Sequence, residues 1–265
     1  MTAQQKKLWN ATFKNFGISI FLYACLLGIL WLDETFVDQL KGMLLHFDSP
    51  AWVVGIPASI IGVAYILTIR NPINYTGFYA GIIMSALLGV QFLLQGMGDS
   101  SVRYYDSVAL YFCVFIPFQL KSIINWKEPQ AEPSENGKFK PSFLSMKGML
   151  LSLLVFVLII GVDYLVGTYL LPKNAETLNE RFWVKFISGV MIASSVLANF
   201  WLIYRKNDSW IYWIVYSFSG ILLFTILNNI FSIVLFMFFL FINAMAGISW
   251  IKSTPKEHYG WLKGK

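Results

Sequence analysis

Residues 193–205 read ASSVLANFWLIYR, and residues 58–70 read ASIIGVAYILTIR. At a constant offset of 135, Ala58 meets Ala193, Ser59 meets Ser194, Leu67 meets Leu202 and Arg70 meets Arg205. The same offset carries Tyr75 onto Trp210 and Phe78 onto Trp213, so an Arg-x4-aromatic-x2-aromatic spacing is kept. Past residues 99–109, an insertion in the first copy, the offset falls to 124. Trp126 then meets Trp250, and Gln119 meets Asn243, each seven residues before its tryptophan. Self-similarity at fixed spacing is the mark of a repeat architecture. The reading predicts two equivalent three-helix units, 52–126 and 183–252.

Working outward, the chain of 265 residues is 57% hydrophobic and 13% charged, with a mean hydropathy of +0.62. Soluble domains run near ~45–50% apolar and ~25% charged. Those figures exclude intrinsic disorder and argue against a soluble domain. A membrane-crossing helix needs about 20 apolar residues. Eight runs qualify, at 16–32, 52–69, 75–95, 106–126, 148–171, 183–204, 210–227 and 230–251. Residues 33–51 alternate acids with Phe36, Val37, Leu40 and Leu44, which also suits a short helix lying in the interface.

Charge sets the expected orientation. With the N-terminus in the cytoplasm, fifteen Lys and Arg fall inside and five outside (Lys41, Arg103, Lys173, Arg181 and Lys185). Such an excess is the positive-inside pattern, and it puts both termini in the cytoplasm. The basic residues flank apolar segments and form no single patch, so nucleic acid is not an expected partner. Lys6 and Lys7 ahead of an apolar run resemble a signal peptide, but no small-x-small site precedes Asp33, so an uncleaved first span is expected.

Both three-helix units start outside and end inside. They are therefore parallel repeats about an axis along the membrane normal, with a substrate site expected at their interface. Three helices reverse the side of the membrane, so one more, 148–171, must intervene. The expected fold is an all-α polytopic membrane protein of about eight helices, arranged 3+1+3 after one extra N-terminal helix. Its parts are an N-terminal helix and outer loop (1–51), the first repeat, a cytoplasmic linker and connecting helix (127–182), the second repeat, and a tail (253–265).

The stretch RKNDSWIYWIVYSFS, 205–219, is the richest in chemistry. Trp210, Trp213 and Ser217 stand at i, i+3 and i+7 and share a helical face. Trp210 also suits an interfacial belt, whereas Trp213 lies a turn deeper. Tyr216 falls on a neighbouring face. Aromatic walls beside a small polar group suit a flat ring, above all a cationic one. Polar residues within spans are costly and mark functional candidates. Gln119 and Asn243 sit at matching depth in the two repeats, where they either tie helices together or line a path for hydroxyl-bearing solute. Gln91 is a candidate on the third span. Asn199, one turn from Ser195, is equally suited to packing. Ser59 and Ser194 suit close packing. Asp163 is the only acid well within a span, and a structural bond suits it. Pro57 and Pro117 interrupt spans of the first repeat, as static kinks or as hinges.

At these residues the sequence resembles a family. Arg205-Lys206 followed by Trp210-x-x-Trp213 and a polar residue four positions on is similar to the WxxWxxxN/D motif of the PnuC vitamin transporters, which resemble the SWEET sugar transporters in fold. Asn74-Tyr75 with Gly77 and Gly81, and the closing Gly247-x-x-Trp250, extend the likeness over roughly 52–252. The resemblance implies facilitated diffusion of nicotinamide riboside, trapped by intracellular phosphorylation. It implies a bacterial inner-membrane protein, a homotrimer and no cofactor. Thiamine, riboflavin and deoxynucleosides are the alternative solutes. One departure stands out: Ser217 replaces the motif's Asn or Asp, so either water bridges a gap or a different ligand edge is read.

Other classes fit less well. An enzyme needs a nucleophile–base pair or metal ligands. His46 and His258 fall outside the spans on opposite sides of the membrane. Cys25 and Cys113 suit packing and show no disulfide or metal spacing. A substrate-binding subunit of an energy-coupled importer would also be small and helical, but without such a repeat.

Overall fold

The structure is a computed structural model that describes residues 2–30, 50–71, 73–98, 108–127, 141–166, 182–226, 230–255 and 258–260. His46, Asn228, Asn229, linker residues 128–140 and all but the end of the 33–51 segment lie outside them.

Besides one π-helical segment, eight α-helices make up most of the described residues, with no named strand among them. They are α1 (Ala3–Leu30), α2 (Pro50–Ile69), α3 (Gly77–Gly98), α4 (Ile116–Lys127), α5 (Met146–Leu165), α6 (Phe182–Ile203), α7 (Asp208–Ile226) and α8 (Ile230–Ser253). Five of them, α3 and α5 to α8, are long and apolar enough to cross a bilayer, and Val54–Ile69 in α2 is a shorter apolar stretch.

Local chemistry fixes several helix ends. α1 starts thirteen residues before the expected span, at Ala3 and not at residue 16. Thr2 and Gln5 explain this with a reciprocal cap: Thr2 N–H donates to Gln5 Oε1 at 2.8 Å, and Gln5 N–H donates to Thr2 Oγ1 at 3.2 Å. Such a box starts a helix whatever its hydropathy. Pro50 stands at the first helical position of α2, where its missing N–H costs nothing. Ser145 caps α5 by accepting from Gly148 N–H at 3.2 Å. A π-helical segment, Leu110–Phe115, leads into α4, and Ile116 N–H reaches back to Tyr111 O. It lies just before Pro117, which lacks an N–H and crowds the carbonyl four residues back.

The chain divides into two compact units. The first holds residues 1–69 and 76–120, the second residues 70–75 and 121–265. In the first unit α1 docks through polar contacts. Ser19 Oγ donates to Ile60 O at 2.6 Å, Asn15 Nδ2 to Thr68 Oγ1 at 3.2 Å, and Trp9 stacks on Tyr79 at 5.5 Å. Such bonds hold helices together where lipid removes the hydrophobic drive.

In the second unit α5 meets α6 and α7 at one serine. Ser152 Oγ accepts from Trp201 Nε1 at 2.8 Å and shares a hydrogen with Tyr212 Oη at 2.6 Å. The Phe236 ring of α8 lies on the bare backbone of Gly220 in α7, in the space a Cβ would take. Cys25 and Cys113 are both exposed on their helices and do not pack inside. The serine pair acts alike in its two helices. Ser59 Oγ donates to Gly55 O at 3.0 Å, and Ser194 Oγ donates to Val190 O at 2.6 Å, each four residues back.

Candidate functional site

The α6–α7 turn positions the aromatic stretch. Arg205 N–H donates to Leu202 O and Lys206 N–H to Trp201 O, both at 3.0 Å, the pairing of a Schellman motif. Arg205 takes the left-handed position, φ +56°, usually given to glycine. Its side chain is held in return. Arg205 Nη2 donates to Asn125 O at 3.1 Å, and the guanidinium carbon lies 5.2 Å from the centre of the Trp126 ring. Burial pulls the guanidinium down to about 10, so it stays charged at neutral pH.

The rest of the turn is equally engaged. Lys206 Nζ donates to Ser142 Oγ at 2.8 Å, and Asn207 Nδ2 donates to Thr254 Oγ1 at 2.6 Å. Asp208, fully buried at the start of α7, accepts from Leu144 N–H at 2.8 Å. Beside the turn the two tryptophans that close the repeats meet at 5.7 Å. Trp126 Nε1 donates to Leu202 O and Trp250 Nε1 to Arg70 O, both at 3.1 Å.

From this base α7 carries Trp210, Trp213 and Ser217 against α8. Trp210 is buried, edge-on to Trp250 at 5.5 Å, with its Cβ against Gly247. It therefore sits inside the protein and not in an interfacial belt. Trp213 meets Tyr216 edge-to-face at 5.6 Å. Ser217 Oγ donates to Trp213 O at 2.9 Å and accepts from Asn243 Nδ2 at 3.0 Å. Asn243 Nδ2 also reaches Trp213 O at 3.4 Å. The structure thus brings Trp213, Tyr216, Ser217 and Asn243 together, with Trp210 a turn below.

Three polar atoms of this cluster have no hydrogen-bond partner among the described residues: Trp210 Nε1, Trp213 Nε1 and Asn243 Oδ1. Leaving one such buried atom unpaired costs about 1–3 kcal/mol. Two buried donors and one buried acceptor are groups that the edge of a flat, polar solute can satisfy.

The first unit holds the other amides. Gln119 is buried and donates from Nε2 to Tyr65 Oη at 3.2 Å. Gly81 admits it, since a Cβ there would lie 2.7 Å from Gln119 Oε1. Gln91, half-buried, lies against Gly55 in the same manner, 2.9 Å from the position of a Cβ. Asn199, in the second unit, is tied to its own helix, Nδ2 donating to Ser195 O at 2.9 Å. Asp163 lies with Oδ2 against the bare backbone of Gly189. No group of three His, Cys, Asp or Glu that could hold a metal occurs among the described residues.

Sequence reasoning missed Tyr65 and Asp208. In the sequence Tyr65 is one of several aromatics in an apolar run, and Asp208 stands in the polar stretch RKNDS. Only the contacts at sequence separations of 54 and 64 reveal their roles. Trp250 was visible as the repeat partner of Trp126, which could have pointed to the bonds they form.

A family model described as "Nicotinamide mononucleotide transporter" matches residues 52–252. Among solved structures, the chain is similar to one described as "Crystal structure of the Vitamin B3 transporter PnuC". The match has a TM-score of 0.55 and 19% identity over 90% of this chain and 93% of that one. That likeness is one of fold, and it agrees with a polytopic helical membrane protein. No curated protein matches the chain.

Proposed function

Because this chain belongs to the nicotinamide mononucleotide transporter family, we propose that it carries nicotinamide riboside into the cell by facilitated diffusion, with intracellular phosphorylation trapping the solute. The observation that carries the choice of riboside is the makeup of the α7–α8 cluster. Trp210, Trp213, Tyr216, Ser217 and Asn243 are all uncharged, while Trp210 Nε1, Trp213 Nε1 and Asn243 Oδ1 are buried and unpaired among the described residues. Uncharged aromatic walls suit a pyridinium, whose attraction to a desolvated ring is worth about 2 kcal/mol. Asn243 Oδ1 takes a carboxamide N–H, and an indole N–H gives to the carboxamide oxygen. A phosphate wants Arg, Lys or several backbone N–H groups, and the cluster's side chains supply neither base.

Gln119 and Gln91 remain the sequence's candidates for bonding ribose hydroxyls. Asn199 serves α6 itself, in keeping with its bond to Ser195 O. The protein sits in the bacterial inner membrane with both termini in the cytoplasm, supported by the fifteen-to-five split of Lys and Arg. A homotrimer follows from the family resemblance. Ser217 in place of the motif's Asn or Asp favours one second reading, a related solute such as thiamine, riboflavin or a deoxynucleoside.

Calorimetry of the purified protein with nicotinamide riboside, thiamine and riboflavin in parallel tests the choice. We expect the riboside to bind, and Trp213→Ala to weaken it more than tenfold, about 1.4 kcal/mol. Wild-type affinity in that variant would remove Trp213 from the site. Preferential binding of thiamine or riboflavin would transfer the assignment to the second reading.

A further inference from the structure

We propose that the cleft between α5 and α6 is a binding site for an anionic phospholipid of the inner leaflet, one acyl chain lying between the helices and Lys206 meeting the phosphate. The cleft has a volume of about 460 Å³ and lies within the second unit. That is inside the usual range for small-molecule sites, roughly 300–1,000 Å³. Leu151 and Val155 of α5 face Leu197 and Phe200 of α6 across it.

The cleft's lining surface is wholly apolar, and its polar groups are turned away from it. Ser152 reaches the wall, yet its hydroxyl is engaged with Trp201 and Tyr212. The carbon stem of Lys206 lines the end beside the α6–α7 turn, with the half-exposed Tyr204 beside it, and the ammonium lies just beyond the apolar lining. An ammonium has three hydrogens to donate. One goes to a neutral acceptor, Ser142 Oγ at 2.8 Å. Asp208, the acid whose charge Lys206 feels, is itself engaged by Leu144 N–H. Burial disfavours the charged form of Lys206, so an arriving anion restores what burial removes.

The surroundings select lipid as the occupant. Leu150, Leu154, Val157 and Leu158 of α5 are all exposed, the outward surface of a helix apolar enough to span. The solvent of such a surface is hydrocarbon. A basic group at the cytoplasmic end of a cleft between transmembrane helices is the usual seat of an anionic headgroup. By the positive-inside reading, Lys206 lies at that end.

The test uses the full chain in nanodiscs of equal phosphatidylglycerol and phosphatidylcholine. The lipids retained after extraction are counted by native mass spectrometry. The wild type should enrich phosphatidylglycerol at least fivefold. Lys206→Gln should bring the ratio to parity, and Lys206→Arg should keep it. Val155→Trp fills the chain slot and leaves the cation in place, so it should lower retention too. Wild-type enrichment in Lys206→Gln or in Val155→Trp would overturn the proposal. So would displacement of the lipid by glycerol phosphate, which carries the headgroup charge without chains. A change of oligomeric state in Lys206→Gln with lipid retention intact would assign the cleft to a second copy instead.

Discussion

Asn243 offers a ligand a single atom, and Ser217 decides which. Trp213 O can only accept, and Ser217 Oγ already donates to it at 2.9 Å. The amide group facing both oxygens must therefore be Nδ2, at 3.4 Å and 3.0 Å. Oδ1 is then turned the other way, buried and unpaired among the described residues. Ser217 thus positions the carboxamide of a different helix, which in the proposed site stands in for the motif's own Asn or Asp. The substitution at 217 was plain in the sequence. Its compensation was not, because the two residues lie 26 positions apart on α7 and α8. Asn243→Leu should weaken riboside binding at least tenfold in calorimetry, and unchanged affinity would count against the assignment. Asn243→Asp should act first on the fold. Its carboxylate would face the Trp213 carbonyl without a hydrogen to give, and an acid at the centre of a span costs about 2.5–3.5 kcal/mol. A lower melting temperature in detergent, read before any ligand is added, is the expected sign.

At the scale of elements, the α6–α7 turn shows what hydropathy cannot tell. The spans were legible because twenty apolar residues in a row leave few other structures. The start of α1 was not, since polar residues 3–15 are held helical by the Thr2–Gln5 box and not by apolar character. Nor was the left-handed Arg205, in a position where glycine is the rule. A side chain there costs roughly 1–2 kcal/mol. Its offsets are a charge-assisted bond to Asn125 O, about 1.5–3 kcal/mol, and the Trp126 ring, about 0.5–2 kcal/mol. An ordering of variants follows. Arg205→Gly loses both contacts and the strain, so its melting temperature should fall modestly. Arg205→Ala loses the contacts and keeps the strain, so it should melt lowest. Alanine melting at or above glycine would show that the backbone at 205 is not strained. A similar logic applies to α7 and α8. Gly220→Ala would meet the Phe236 ring, and overpacking of this kind costs about 1–3 kcal/mol. Pairing it with Phe236→Leu should recover most of the lost stability.

For the molecule as a whole, the placement of acids bears on how transport is driven. A proton-coupled carrier needs ionisable groups close enough to relay a proton across the membrane. Two acids of the second unit are candidates, Asp163 on α5 and the fully buried Asp208 at the head of α7. The carboxylate of Asp208 accepts from Leu144 N–H, just ahead of α5, and Asp163 lies nineteen residues further on. At 1.5 Å per helical residue the two are roughly 28 Å apart, close to the ~30 Å thickness of the hydrocarbon core. Each also has a structural place, Asp208 on the Leu144 N–H and Asp163 against Gly189. Helix number could be drawn from hydropathy. The depth of Asp208 could not, because its burial depends on the linker segment 141–145 folding back on α7. Uniport is the expected consequence. In liposomes holding the purified protein alone, riboside should equilibrate to equal concentrations on both sides without ATP. Imposing a pH or sodium gradient should leave that ratio at one, and Asp163→Asn should transport at the wild-type rate. Accumulation above the outside concentration when the interior is made alkaline would show proton coupling. Failure to transport at all without a partner ATPase would identify the chain as the binding subunit of a larger importer.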